Sequence, residues 1–257
     1  MDRSFLSRPA VIAASRDFVC VRLATYEDPL EAKFLKSLVR TGSGEVENTG
    51  FCLLAPDGKK RLSRSARGMD HLYADAAEMA AEMTKIAGTF KPIAVPSALP
   101  LAADARLGLD IAAADGLPLV IVVGPDATSR KPLVDRMAKL GWTDEFIGRF
   151  IYAEGTAKDV VGVPGVTIDA GIVVIAPDKF GQKGTALRQI NVDMTIEKTA
   201  ESLRLAAKEY QAPAKTFQNH VREGQRLGVF WETKLPVTDP MENNARERGK
   251  RMAQPKN

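Results

Sequence analysis

The chain has 257 residues, a length that favours about two domains, and its 45% hydrophobic and 26% charged residues exclude extensive disorder. The net charge of +4 comes largely from the C-terminal segment, where five basic residues face the single acid Glu247: Arg246, Arg248, Lys250, Arg251 and Lys256. Aromatic residues make up only 6% and are scattered, which disfavours nucleic acid as a partner because base stacking needs clustered aromatics.

No apolar run approaches the roughly 18 to 20 residues that a membrane span requires. The strongest run, 117–123, stops at Gly124-Pro125. We therefore expect a soluble protein without a membrane partner. The N-terminus lacks the apolar core of a secretion signal, so the sequence as given suggests the cytoplasm, or an extracytoplasmic site if a signal segment was removed.

The first part of the chain alternates helix and strand signals. A short helix is predicted within 3–16, a buried strand at 18–24, and a helix that starts at Asp28-Pro29, where Pro suits the first helical position. Pro56-Asp57-Gly58 predicts the turn of a hairpin, with strands near 51–54 and 61–65. Apolar residues spaced i, i+4, i+7 then predict a closing helix at 74–87.

A second series of elements begins near Lys91 and ends on the same motif. The patterns predict strand 92–95, helix 101–114, strand 117–123, helix 126–140, strand 150–153, a hairpin over 171–190 and helix 195–210. An extension at 213–237 and a basic tail at 238–257 follow. The polarity of the tail predicts disorder.

The two hairpins share a local sequence pattern. GFCLLAPDGKKRL at 50–62 and GIVVIAPDKFGQKGTAL at 171–187 both run from Gly through apolar residues to Ala-Pro-Asp, and a predicted helix follows each. We therefore predict an α/β fold of two units, 1–90 and 91–212, each a mixed sheet that ends in a β-hairpin and a capping helix.

This order of elements resembles the thioredoxin-like superfamily, complete in the second unit and incomplete in the first. That chemistry needs two cysteines at a helix N-terminus, where the helix dipole lowers the thiol pKa. The corresponding loop at 124–133 has no cysteine, and the family's proline before the hairpin is replaced by Asn48-Thr49 and Asp169-Ala170. The resemblance thus implies a redox-inactive tandem protein that binds protein or acts as a scaffold, through a partner or by self-association. The alternative is a thiol-disulfide oxidoreductase whose CxxC motif precedes this N-terminus, or one that uses Cys20 or Cys52.

The remaining reactive side chains form no recognisable catalytic set. Cys20 and Cys52 lie in apolar runs and are predicted to be buried free thiols, with a disulfide between them as the alternative. His71 and His220 are the only histidines, and neither has the neighbours of a Ser-His-Asp arrangement or a metal site. We expect no catalytic residue, no metal and no cofactor.

Two groups of residues remain as binding candidates. Ser129, Arg130 and Lys131 open a predicted helix and could hold an anion, or could simply cap it. For a partner, the candidates are a basic hairpin and an alternating apolar segment at 226–235: Lys59, Lys60, Arg61, Arg64, Arg67, Val229 and Trp231. The basic charges could equally protect an edge strand, and the segment at 226–235 could dock on the first unit, dock on a second copy, or be a linker.

Overall fold

The computed structural model describes residues 2–21, 23, 28–38, 50–66, 68–91, 98–229 and 240–253. These residues form two compact units. Unit 1 contains the described residues up to 91 together with 240–253, and unit 2 contains 98–229. Within these ranges, no helix is long and apolar enough to cross a membrane.

Unit 1 consists mainly of short helices. A π-helical turn, Asp2–Leu6, is followed by α1 (Pro9–Ser15), α2 (Pro29–Leu38), a 3-10 turn at Met69–His71, α3 (Ala76–Ala87) and, near the C-terminus, the helix Pro240–Ala253. α2 begins at Pro29 as predicted, and Asp28 caps it by accepting hydrogen bonds from the N–H groups of Leu30 and Glu31. Large apolar side chains from this unit form one buried cluster: Phe5, Val11, Leu53, Met69, Tyr73, Met79 and Met83.

The described β structure of unit 1 is limited to a hairpin. Two isolated antiparallel bridges, Phe51 with Ala66 and Leu54 with Arg61, flank the predicted turn. The buried strand predicted at 18–24 is wrong for its described residues, which are not in a strand. Val19 and Val21 are 73% and 72% exposed. A run of β-branched residues forms a strand only where a neighbouring strand or a packing surface is available.

Unit 2 is built on a five-stranded mixed sheet. Its strands are β1 (Leu101–Ala102), β2 (Leu119–Val123), β3 (Ile151–Gly155), β4 (Gly171–Pro177) and β5 (Gly184–Ile190). They lie in the order β1-β3-β2-β4-β5. β1, β3 and β2 are mutually parallel, whereas β4 is antiparallel to both β2 and β5. The hairpin predicted at 171–190 is therefore present, and the strand predicted at 92–95 lies outside the described residues.

Helices cover both faces of this sheet, so unit 2 has three layers. They are α4 (Ala105–Asp115), α5 (Ala127–Gly141), the single turn α6 (Ala157–Val160) and α7 (Ile196–Glu209). Every residue of β2 is buried. Val120 and Val122 face the cluster that includes Met137 of α5 and Leu203 of α7, and the alternate residues of β2 face α4.

The outer strand β5 is partly covered by the loop that precedes β4. The N–H of Ala186 donates to the carbonyl of Pro164 over 3.0 Å. The side chain of Gln189 accepts from the N–H groups of Thr167 and Ile168 and donates to the carbonyl of Gly165. Since these bonds use groups of the last strand in the sheet, less of its edge is available to a foreign strand.

The extension predicted to start at 213 continues unit 2 as a helix. α8 spans Phe217–Arg226, and its His220 stacks on Phe180 in the β4–β5 turn with ring centroids 4.7 Å apart. An ion pair joins Lys179 to Glu223, and Lys215 donates to the carbonyl of Ala113 at the end of α4. These contacts fix α8 to the end of unit 2 where the β4–β5 turn lies.

The basic tail differs from the predicted disorder. Residues 240–253 form a helix, which we call α9. Pro240 occupies the first position of α9. Lys250 Nζ lies 3.9 Å from Glu247 Oε1, one helical turn earlier. Opposite charges spaced three residues apart support a helix even where few residues are apolar.

Candidate functional site

Three strands of unit 2 meet at one end of the sheet. Val123, the last residue of β2, pairs with Gly155 at the end of β3 and with Gly171 at the start of β4. The N–H of Gly124 donates to the carbonyl of Gly155 over 3.1 Å, so the chain leaves the sheet here and enters α5. The carboxyl ends of parallel strands are where open α/β sheets usually bind ligands, which makes this end of the sheet the principal candidate for a binding site.

The N-terminus of α5 is capped by a carboxylate. Asp126 accepts a hydrogen bond of 2.8 Å from the N–H of Ser129, and the hydroxyl of Ser129 lies 3.3 Å from the N–H of Asp126 in a reciprocal capping box. The hydrogen bond from Ser129 lowers the pKa of Asp126, so the cap is ionised at neutral pH. The negative charge that this helix end favours is therefore supplied by the chain itself.

The two cations of the predicted anion site also have internal partners. Arg130 Nε lies 2.8 Å from Glu154 Oε2, and Arg130 Nη1 donates to the carbonyl of Gly124 over 3.0 Å. Lys131 Nζ lies 2.7 Å from the Asp135 carboxylate one helical turn later. Ser129, Arg130 and Lys131 thus share one helical turn, but their side chains are directed to three different partners. An anion would compete with Asp126, Glu154 and Asp135.

Among the described residues at this end of the sheet, the Ser129 and Thr156 hydroxyls are held by internal hydrogen bonds and neither contacts a general base such as histidine. The hydroxyl of Ser129 donates to the carbonyl of Asp126, and that of Thr156 pairs with Asp159 over 2.9 Å. Both histidines lie in other elements, His71 in the 3-10 turn of unit 1 and His220 in α8. Among the described residues, no group of three or more His, Cys, Asp or Glu side chains is arranged to hold a metal ion.

Both cysteines are free and belong to unit 1. The prediction that they are free is confirmed, but the prediction that they are buried is wrong: Cys20 is exposed and Cys52 is half-buried. Desolvation raises the pKa of each thiol and outweighs the opposing effects of a hydrogen bond with the Ser15 side chain at Cys20 and of the Arg61 charge at Cys52. A raised pKa leaves less thiolate at neutral pH, which is the opposite of an activated cysteine.

The basic hairpin of unit 1, defined here as residues 54–66, presents its charges to solvent. Lys59, Lys60, Arg61 and Arg64 are all exposed. Arg61 also has a structural role, because its Nη1 donates to the carbonyl of Leu38 over 2.9 Å and to Ser65 Oγ over 3.1 Å. Arg67, the fifth predicted residue, lies outside the described residues.

The apolar candidates near the C-terminus are only partly described. Val229 is half-buried, and its N–H donates to the carbonyl of Gly224 over 2.9 Å. The segment 226–229 therefore forms the end of α8, and the alternating apolar pattern does not form a strand in these four residues. Trp231 and the rest of 226–235 lie outside the described residues, so the proposed docking of that segment stays a prediction.

Sequence reasoning missed the contact between α8 and the β4–β5 turn. The sequence did contain a signal for this contact. Phe180 is an aromatic residue in a predicted turn, and His220 and Gly224 are four residues apart, so they share one face of a helix. Gly224 is buried, and an added Cβ there would lie 3.2 Å from the Phe180 ring. A small residue next to a ring is informative once both are known to be on facing elements.

No protein-family model, curated protein or solved structure matches this chain.

Proposed function

We propose that the chain is a thioredoxin-like protein without thiol chemistry that works by binding other proteins or as a scaffold. The support for the fold comes from unit 2. Its parallel β2 and β3, antiparallel β4–β5 hairpin and closing helix α7 follow the order of elements on which the resemblance rests. The first unit remains the incomplete copy in this proposal.

The observation that carries the loss of redox activity is the cap of α5. In the family, this helix start holds the reactive cysteine, whose thiolate the dipole stabilises. Here the position is filled by Asp126, whose carboxylate already accepts the N–H of Ser129. The two cysteines that the chain does have lie in unit 1, and desolvation raises their pKa values.

Binding is favoured over catalysis by the distribution of paired and unpaired charge. The ionic side chains around the start of α5 are matched within unit 2, whereas Lys59, Lys60 and Arg64 form no ion pair with any described residue. Because part of the β5 edge is occupied by the loop before β4, we expect contacts through side chains rather than through an added strand.

A cysteine-installation experiment tests both halves of the proposal. The wild-type chain should not accelerate the reduction of an insulin disulfide by dithiothreitol. The double variant Asp126→Cys/Ser129→Cys places two thiols with CxxC spacing on the first turn of α5, and one of them should then titrate below the ordinary thiol range of about 8.5. The rate of iodoacetamide labelling as a function of pH measures that pKa.

Cys20 and Cys52 are the internal controls in that titration. They should label at neutral pH more slowly than an unstructured cysteine. Insulin reduction by the wild type would favour the alternative, a thiol-disulfide oxidoreductase, and would overturn the proposed function. An ordinary pKa for both installed thiols would mean that the start of α5 does not act as the thioredoxin-like helix start does.

A further inference from the structure

The net positive charge of the chain belongs to one unit. Residues 95–229 contain 16 basic and 16 acidic residues, so the +4 of the whole chain comes from 1–94 and 230–257. In unit 2, six basic side chains form ion pairs with carboxylates of the same unit: Arg106, Arg130, Lys131, Lys179, Arg188 and Arg204. Among the described residues, the basic hairpin of unit 1 forms no such ion pair.

The single acid of the basic hairpin, Asp57, offsets only part of its positive charge. Asp57 Oδ1 accepts hydrogen bonds from the backbone N–H groups of Lys59 and Lys60, at 2.8 and 3.1 Å. These bonds use the carboxylate to shape the turn, while the two ammonium groups remain directed to solvent. With four basic residues and one carboxylate, residues 54–66 carry a net charge of +3 and form a concentrated positive surface.

This surface is ordered before a partner arrives. Gly58 supplies a positive φ of 65°, and Ala55 and Lys60 pair across the turn through a hydrogen bond of 2.8 Å. Leu53 is buried in the cluster of unit 1 and anchors one arm, and its N–H donates to Ser63 Oγ over 2.8 Å. A preformed surface loses less conformational entropy on binding than a flexible one.

The chemistry of the surface favours carboxylates over a nucleic acid. Residues 54–66 include no aromatic side chain on which a base could stack. The Ser63 hydroxyl accepts from the Leu53 N–H and donates to the Arg64 carbonyl, so it is not a free donor for phosphate oxygens. What the hairpin offers is a net charge of +3 on exposed side chains, which suits a run of Asp and Glu residues.

We propose that the basic hairpin is the docking surface for an acidic segment of a partner protein. This inference rests on the proposed function, because it names the class of partner that the protein binds. Lys59, Lys60 and Arg64 supply the attraction, and Arg61 holds the hairpin in place through the carbonyl of Leu38.

The test uses the full chain and a fluorescently labelled polyglutamate peptide. Fluorescence anisotropy should detect binding at about 50 mM salt and a clear loss of affinity at about 300 mM, since screening shortens the range of exposed charges. Lys59→Glu/Lys60→Glu should weaken binding at least about tenfold, because two attractions become repulsions. Lys59→Gln/Lys60→Gln should give an intermediate loss, and circular dichroism checks that each variant folds.

The matched control is Lys139→Glu/Lys208→Glu in unit 2, which changes the net charge equally at two exposed lysines. This variant should keep the wild-type affinity. Equal losses in the two reversal variants, no binding by the wild type, or tighter binding of a single-stranded oligonucleotide would each overturn the proposal. So would unchanged peptide binding combined with self-association of the hairpin variant, which would assign the charges to edge protection.

Failure here is separable from failure of the proposed function. A chain that reduces insulin but binds polyglutamate through the hairpin contradicts only the proposed function. A redox-inactive chain that does not bind polyglutamate contradicts only this choice of surface and partner.

Discussion

Gly141 and Tyr152 offer a double-mutant test of how unit 2 packs. Gly141 is the last residue of α5, and a Cβ added there would lie 2.9 Å from the Tyr152 hydroxyl oxygen and 3.2 Å from Leu99 Cδ1. Tyr152 is 5% exposed, and its hydroxyl is buried without a hydrogen-bond partner among the described residues. The Gly141→Ala change therefore pushes a methyl group against a side chain that has little room to move.

The expected free energies follow from these contacts. Overpacking of a filled core costs about 1 to 3 kcal/mol, and replacing glycine in a helix returns about 0.5 to 1 kcal/mol, so Gly141→Ala should lower the free energy of unfolding by about 1 kcal/mol. Tyr152→Phe removes an unpaired buried hydroxyl and should raise it by about 1 kcal/mol. In the double variant the new methyl group no longer meets that oxygen, so we expect a favourable coupling of at least about 1 kcal/mol.

Urea unfolding followed by tryptophan fluorescence measures all four corners of the cycle. The chain has two tryptophans, so a Trp231→Phe background leaves Trp142 of unit 2 as the reporter. The Trp142 indole N–H donates to the Ala98 carbonyl over 3.3 Å and should respond when unit 2 unfolds. Additive effects, with no coupling, would refute the packing described for Gly141. A loss of stability in Tyr152→Phe alone would show that the hydroxyl has a partner.

Three further predictions concern turns, caps and pH. Gly171→Ala should lower the free energy of unfolding by about 2 kcal/mol more than Gly162→Ala in the same urea assay. Both positions have positive φ, but only at Gly171 would a Cβ collide with a carbonyl oxygen of β5. Equal losses in the two variants would contradict this reasoning. Asp126→Ala should lower the free energy of unfolding by about 1 kcal/mol through loss of the α5 cap, and an unchanged value would mean that the cap contributes nothing. Desolvation, together with the charges of Lys215 and Lys179, lowers the pKa of His220 in the folded chain. The unfolded chain therefore binds the proton more readily than the folded chain. The contribution of His220 to the free energy of unfolding is fully present above about pH 6.5 and is lost as the pH falls below that value. The melting temperature of His220→Phe should therefore fall less between about pH 7.5 and pH 5 than that of the wild type, and parallel curves would exclude His220 as the cause.

Elements with strong local signals could be predicted from the sequence. The apolar run that ends at Val123 forms β2, the helix predicted at 126–140 is present as α5 and extends one residue further to Gly141, and the Pro177-Asp178 turn joins two strands. In each case the signal is either an uninterrupted apolar run or a residue whose backbone preferences fit a turn or a helix end. Such signals do not depend on distant parts of the chain.

Elements that depend on distant contacts could not be predicted. β1 has two residues, Leu101 and Ala102, and exists because β3 lies beside it. The predicted helix therefore starts later than expected, after Asp104, whose carboxylate caps α4 through the N–H of Leu107. α8 has mostly polar residues and is held by its contacts with Phe180 and Lys179 rather than by an apolar stripe.

The residues of the candidate site could be predicted from the sequence, but the partners of their side chains could not. The sequence places Ser129, Arg130 and Lys131 at the start of a helix, and the structure confirms that position. Their partners Asp126, Glu154 and Asp135 come from a loop, a different strand and the next helical turn. The pairing of Arg130 with Glu154 depends on how α5 packs against the sheet, which the sequence pattern did not reveal.

The attachment of α8 determines where unit 2 can be cut for study as an isolated fragment. A fragment that stopped at the end of α7 would uncover the ring of Phe180 and would leave Lys179 without its carboxylate. It would also free the carbonyls at the end of α4 that Lys215 now caps. A fragment intended for crystals or spectroscopy should therefore run through Val229, so that each of these groups keeps its partner and none is newly exposed to intermolecular contacts.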